Sequence, residues 1–141
     1  MAQSAQIARL QRRLEAIPKS VRLATVPALL KSGEELAGTM RQLAEPSRDT
    51  GALIDSVEVT PPGQSTPPYS QPGGTRVAGE LEVIVTAGNE GVRYAHLVEF
   101  GTSKAEAQPF FWPAFRLLQK RIQNRTRRAV SKAVRDGWNK P

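Results

Sequence analysis

Cysteine is absent from all 141 residues, which excludes a disulfide framework, a thiolate metal site and a thiol nucleophile. A fold held without covalent staples suits a protein assembled in the cytoplasm. Histidine occurs once, at His96, so no second imidazole or thiolate is there to complete a transition-metal site. A place on a helix face or in an interface is the expectation for it. Long hydrophobic runs are missing as well. The opening MAQSAQIARLQRRLEAIP has no continuous apolar stretch of the kind a secretory signal needs. No run approaches the ~20 apolar residues that cross a bilayer. With 39% hydrophobic residues and a mean hydropathy of −0.40, the chain is expected to be a soluble product with no membrane association.

Catalytic constellations are equally scarce. Neither common phosphate-cradling glycine loop is present. Ser103 and Asp136 stand in no triad spacing with His96. Glu80 and Glu82 lie two apart on a predicted strand, where exposed polar positions explain them better than a paired acid and base. The expectation is a protein that is not an enzyme, binds no cofactor and holds no metal.

What the chain has in excess is positive charge in one place. The net charge is +7, yet residues 1–60 carry a net +1 and residues 61–115 a net −2. Residues 116–141 hold nine basic side chains and one acidic, so the excess belongs to the C-terminal segment. Its apolar positions Phe115, Leu118, Ile122, Ala129 and Ala133 predict an amphipathic helix from about Pro113 to Asp136, inside a basic C-terminal segment 112–136. Arg121, Arg125, Arg127, Arg128, Lys132 and Arg135 are its candidates for contact with DNA or an acidic partner. Such contact is salt-dependent and blind to sequence. No aromatic residues are interleaved for base stacking, and no DNA-reading motif appears. A solvated face, or one docked on an acidic protein ring, fits the same pattern.

Length and content suit one domain, 1–141. Its N-terminal part, 1–45, is helical in pattern. Ile7, Leu10, Leu14, Ile17 and Val21 recur at intervals of three and four, and a second stretch runs from near Pro27 to Leu43. Pro18 and Pro27 are expected to start, kink or divide these helices, Gly33 and Gly38 to weaken the second, and Pro46 to end it. DTGALIDSVEVT predicts a capped turn followed by a strand. Thr60–Arg76, with five prolines and three glycines, is either a disordered tip or an arm that orders against a partner. Val77–Thr86 predicts a strand with Leu81, Val83 and Val85 on one face. VRYAHLVEFGT predicts a short helix closed by Gly101, and QPFFWP an aromatic knot between two prolines. The fold class is therefore α+β: a small antiparallel or mixed sheet packed with N-terminal helices and a long basic C-terminal helix.

Three blocks in fixed order carry a resemblance: Thr50-Gly51-Ala52-Leu53 with Ser56-Val57, then YAHLVEFGT at 94–102, then AQPFFWPA at 107–114 leading into the basic helix. Over roughly residues 46–135 the chain resembles the tail-completion, or head–tail joining, proteins of long-tailed phages and gene-transfer particles. The N-terminal helices agree only in character, and the long proline-rich loop is a departure. The resemblance implies a ring, typically six-fold, at the head–tail junction of the particle. Its partners would be further copies of itself, the tail tube protein and the head-proximal connector or stopper, with DNA passing through the lumen. Assembly would take place in the host cytoplasm. Tyr94, Phe100, Phe110, Phe111 and Trp112 are the candidate contact residues, with Pro67, Pro68 and Tyr69 of the loop. For the aromatic residues, a place in the core under the C-terminal helix is the competing expectation. Glu99 and Lys104 are expected to be solvated charges or an ion pair. The alternative function is that of a small nucleic-acid-binding protein acting without sequence preference through the basic helix. A hydrolase of the particle finds no supporting residues.

Overall fold

Two helices of very different surroundings organise the chain. The computed structural model describes residues 2–139, with side chains from residue 5 onward except that of residue 16. Helix α1 runs unbroken from Ala2 to Ala44, about 64 Å at 1.5 Å per residue. Pro18 and Pro27 lie inside it, so they do not divide the N-terminal part into two helices. Each proline removes one hydrogen bond to the carbonyl four residues earlier. Those carbonyls belong to Leu14 and Leu23, both exposed, where water can take over the lost partner. The helix ends where expected, in a 3-10 turn at Glu45–Ser47 built on Pro46.

A short helix α2 (Ala52–Asp55) follows, then strand β1 (Glu58–Thr60). Ser56 fastens this corner: its hydroxyl donates to Leu53 O at 2.6 Å and accepts from the Gly88 N–H at 2.9 Å. Strand β2 (Ile84–Thr86) pairs antiparallel with β1, Val59 opposite Val85. The two-stranded sheet lies against α1 at Gly33, where a Cβ would stand 3.0 Å from methyl groups of Val59 and Val83. Glycine there is a condition of the packing, not a weakness in the helix. The Arg41 guanidinium adds a 2.7 Å hydrogen bond to Val57 O.

Between the strands the expected picture changes twice. Thr60–Arg76 finds its partners within the chain instead of projecting as a tip. Thr66 N–H donates to Arg76 O, Ala78 N–H to Gln64 O, and Gln71 and Ala87 exchange both backbone bonds. Thr66 and Ser70 are buried beneath these crossings. Of the strand expected over Val77–Thr86, only Ile84–Thr86 forms. Gly79–Glu82 turns instead, because the Glu82 carboxylate accepts from the Gly79 N–H at 3.0 Å and from Arg76 at 3.3 Å. Glu80 and Glu82 therefore do not share a strand face; Glu80 reaches Arg22 on α1 at 3.4 Å.

Helix α3 (Ala95–Phe100) leads into α4 (Phe111–Asn139), which runs back antiparallel to α1. Arg125 meets Ser32 and Glu35, and Gly137 meets Ile17 and Ser20. The core sits at one end of this pair. Leu36, Ala37 and Met40 of α1 pack with Leu53, Ile54, Val57, Phe110, Phe111 and Ala114. The result is an α+β body from which a two-helix hairpin extends. Among the described residues, no helix is long and apolar enough to cross a membrane.

Candidate assembly interface

The sequence YAHLVEFG winds into α3 with Ala95, Val98 and Glu99 turned inward and Tyr94, His96, Leu97 and Phe100 outward. Gly101 stops it at φ 77° and ψ 176°, a region essentially confined to glycine. A Cβ there would stand 2.7 Å from the Ala107 backbone nitrogen. Thr102–Ala105 forms a turn, and the Gln108 N–H returns to Val98 O at 2.8 Å. The chain then enters α4 beneath its own third helix.

Glu99 makes that entry possible. Its side chain is buried, and its two oxygens accept from the N–H groups of Phe110, Phe111 and Trp112 at 2.8, 2.9 and 3.0 Å. The first N–H groups of a helix have no partner inside it and carry partial positive charge, so a carboxylate in this place satisfies both needs. Glu99 is thus neither a solvated charge nor the partner of Lys104, which lies exposed on the turn. The sequence suggested the wrong role for it because nothing in the spacing of residues 99 and 110–112 marks a cap that comes from another helix.

The aromatic block divides between core and surface. Phe110 is 1% exposed and Phe111 8%, as the core expectation had it. Trp112 is 37% exposed and Phe100 69%. Edge-on contacts link Phe110, Phe111, Trp112 and Phe115 in series, with centroid distances of 6.5, 5.0 and 6.1 Å. Such edge-to-face geometry is the preferred one for aromatic pairs and fixes the orientation of the exposed member. Phe100, Trp112 and His96 line an open cleft of about 140 Å³, to which Gln71 and Pro72 of the long loop also contribute. His96 thus stands on an exposed helix face beside aromatic rings. Gln71 and Pro72 were not among the sequence candidates; only the exchange of bonds with Ala87 brings them here.

Tyr94 points to the other side of α3, with Leu97, toward the 3-10 turn. Tyr69 is exposed and stacks beneath the Arg93 guanidinium, 3.7 Å from the ring centre. Pro68 is exposed beside it and Pro67 half-buried. The structure therefore gathers Phe100 and Trp112 into one patch and places Tyr94 and Tyr69 outside it.

The basic candidates on α4 also separate. Arg125 has a side chain only 13% exposed and donates to Ser32 Oγ at 2.9 Å and Glu35 Oε2 at 2.8 Å. Arg121 stands 3.0 Å from Glu35 Oε1 as an ion pair without hydrogen-bond alignment. Both serve the α1–α4 packing. Arg127, Arg128, Lys132 and Arg135 are exposed. At about 100° per residue, Arg128, Lys132 and Arg135 fall within one sector of about 60° and Arg127 on another side. Among the described residues, no group of three or more His, Asp or Glu is placed to hold a metal ion.

A family model described as "Bacteriophage HK97-gp10, putative tail-component" matches residues 8–101. The match takes in α1 from residue 8 onward, the sheet and α3, and stops at Gly101. It includes the N-terminal helix, for which the sequence showed likeness only in character, and leaves out the QPFFWP block and α4. No curated protein and no solved structure matches the chain.

Proposed function

The chain belongs to the HK97-gp10-like family of phage tail components, and from that premise we propose that it is a structural ring subunit of the head–tail junction. It joins the tail tube to the head-proximal connector, leaves a central passage for DNA, and catalyses no reaction. The observation that carries this reading is the aromatic corner. Glu99 and the edge-on aromatic series orient Trp112, and Gly101 ends α3 just after Phe100, so that both rings line an open apolar cleft at the surface. Large apolar side chains fixed in exposed positions mark contact surfaces more than they serve an isolated subunit. A closed ring needs a patch of this kind meeting a different patch on the neighbour. Six subunits is the number the family resemblance implies.

Deleting the gene and viewing particles by negative-stain electron microscopy tests the reading. Filled heads separated from tails, or tails of uncontrolled length, are expected, and overlong tails would assign the terminator position. Normal, joined and infectious particles would sink it. Complementation with Phe100→Ala/Trp112→Ala is expected to leave the same defect although the variant folds.

A second reading rests on Arg128, Lys132 and Arg135. Their exposed sector on α4 offers phosphate contacts, the mark of a nucleic-acid-binding protein without sequence preference. In a ring subunit this face would line the passage; in a free protein it would bind DNA directly.

A further inference from the structure

Helix α1 is longer than its partner. Gly137, near the described end of α4, lies against Ile17 and Ser20, and Trp138 reaches the Arg13 guanidinium at 5.8 Å. Among the described residues, those before Arg13 have no partner helix beside them, over about 15 Å at 1.5 Å per residue. The apolar row that α4 covers at Ile17 continues uncovered through Leu14, Leu10 and Ile7, which are 52, 43 and 56% exposed. Arg9 and Arg12 lie on the same stretch. A single helical overhang of about a dozen residues is marginal in water, since most helices owe their stability to packing of an apolar face. Among the described residues, nothing covers this face.

At the opposite end of the molecule lies a hollow of complementary character. Two adjoining depressions of about 200 and 420 Å³ share Ser47, Arg48, Tyr94 and Val98 and so form one groove. Its apolar lining includes exposed Tyr94 and Leu97, its rim carries Asp49 and Glu106, and Arg48 on the same rim is paired with Glu45 at 3.5 Å. Charge follows the same division across the whole chain. Residues 45–115 hold nine acidic and four basic side chains, whereas residues 1–44 and 116–141 together hold four acidic and 16 basic.

We propose that the N-terminal end of α1 docks in the groove between the 3-10 turn and α3 of a second copy of this chain, Leu10 and Leu14 meeting Leu97 and Tyr94, with Arg9 at the edge of that apolar face toward Asp49 and Glu106 and Arg12, on the far side of the helix, adding to the positive charge of the docked end. The contact joins two different patches about one molecule's length apart, so it propagates head to tail and closes only as a ring. It rests on the ring reading above and names the surfaces that make the ring. Apolar burial holds the contact, and charge selects its direction.

The absence of cysteine makes the test clean. Leu10→Cys and Leu97→Cys are introduced together and singly into the full chain, and purified protein and isolated particles are treated with a mild thiol oxidant. The double variant is expected to give a ladder of covalent multimers on a non-reducing gel, and each single variant none. Adding Arg9→Glu/Arg12→Glu is expected to lower the cross-linked fraction about tenfold, the equivalent of roughly 1.4 kcal/mol. Asp49→Lys/Glu106→Lys should restore it. A double variant that is present in particles and gives no ladder in either sample overturns the proposal. So does loss of DNA retardation in Arg9→Glu/Arg12→Glu without any ladder, which would assign the overhang to nucleic acid. A ladder from protein that is dispensable for normal particles would uphold the docking and sink the head–tail reading instead.

Discussion

Glu99 shows how a single, almost wholly buried carboxylate can set the shape of the surface beside it. It points inward from α3 to the floor of the cleft, and its three hydrogen bonds fix the first turn of α4 and with it the direction of Trp112. Glu99→Ala leaves three helix-start donors without their charged acceptor in a buried setting. The expected cost is about 2–4 kcal/mol, seen as a lower urea midpoint with an unchanged slope. A loss below 0.5 kcal/mol, typical of surface positions, would show that water serves those donors as well. Gly101 is the other single-residue constraint. A methyl group at this backbone conformation is strained in itself and also meets the Ala107 nitrogen at 2.7 Å, a backbone atom that cannot turn aside. Gly101→Ala is expected to destabilise by about 1–3 kcal/mol. It should also blur the near-ultraviolet circular dichroism of Trp112, because the 102–108 turn seats the aromatic series.

At the scale of elements, the turn at Gly79–Glu82 gives a prediction about pH. The Gly79 N–H donated to Glu82, with Arg76 beside it, holds this carboxyl below the usual carboxylate range and outweighs the opposing effect of partial desolvation. A carboxyl whose value is depressed on folding stabilises fully above its ordinary range, and that contribution disappears as pH falls through the depressed value. The turn should therefore stay closed at neutral pH and loosen only in acid. The protection of the Gly79 amide against exchange, relative to its intrinsic rate at each pH, is expected to fall there before that of the α1–α4 core does, and Glu82→Gln should remove the pH dependence of that protection. This turn also marks the limit of what the sequence discloses. Alternation over Val77–Thr86 reads as a strand, because local pattern cannot show that Glu82 will reach back to its own backbone. The prolines of α1 mislead in the same way: their cost depends on which face they occupy, and that face is set by distant α4. Short-range signals fare better. Gly101 ending α3, Pro46 ending α1 and the apolar stripe of α4 are all readable where they stand. The candidate patch is half legible: the aromatic block is plain in the sequence, but its division into buried Phe110 and Phe111 and exposed Phe100 and Trp112 follows from the Glu99 cap.

The whole molecule is electrically lopsided, an acidic body carrying a basic hairpin, and the basic residues are of two kinds. Arg125 is tied to Glu35 and Ser32 with little exposure, while Arg128, Lys132 and Arg135 face solvent. Substituting each kind separates structure from electrostatic function. Arg125→Ala leaves Glu35 with only its loosely aligned Arg121 partner and is expected to cost about 2–3 kcal/mol, somewhat less than the roughly 3–5 kcal/mol of breaking a fully buried pair. Replacing Arg128, Lys132 and Arg135 with glutamine should change stability by less than about 0.5 kcal/mol. If the exposed sector faces DNA, the two substitutions differ again in binding. Each phosphate neutralised adds about 0.9 to the slope of log affinity against log salt, so the triple variant should show a slope shallower by about 2.7. Filter binding of duplex DNA across a salt series reads this directly. An unchanged slope with the triple variant would exclude α4 from DNA contact, and its charge would then be left for an acidic protein surface, such as the acidic body of another copy in the proposed ring.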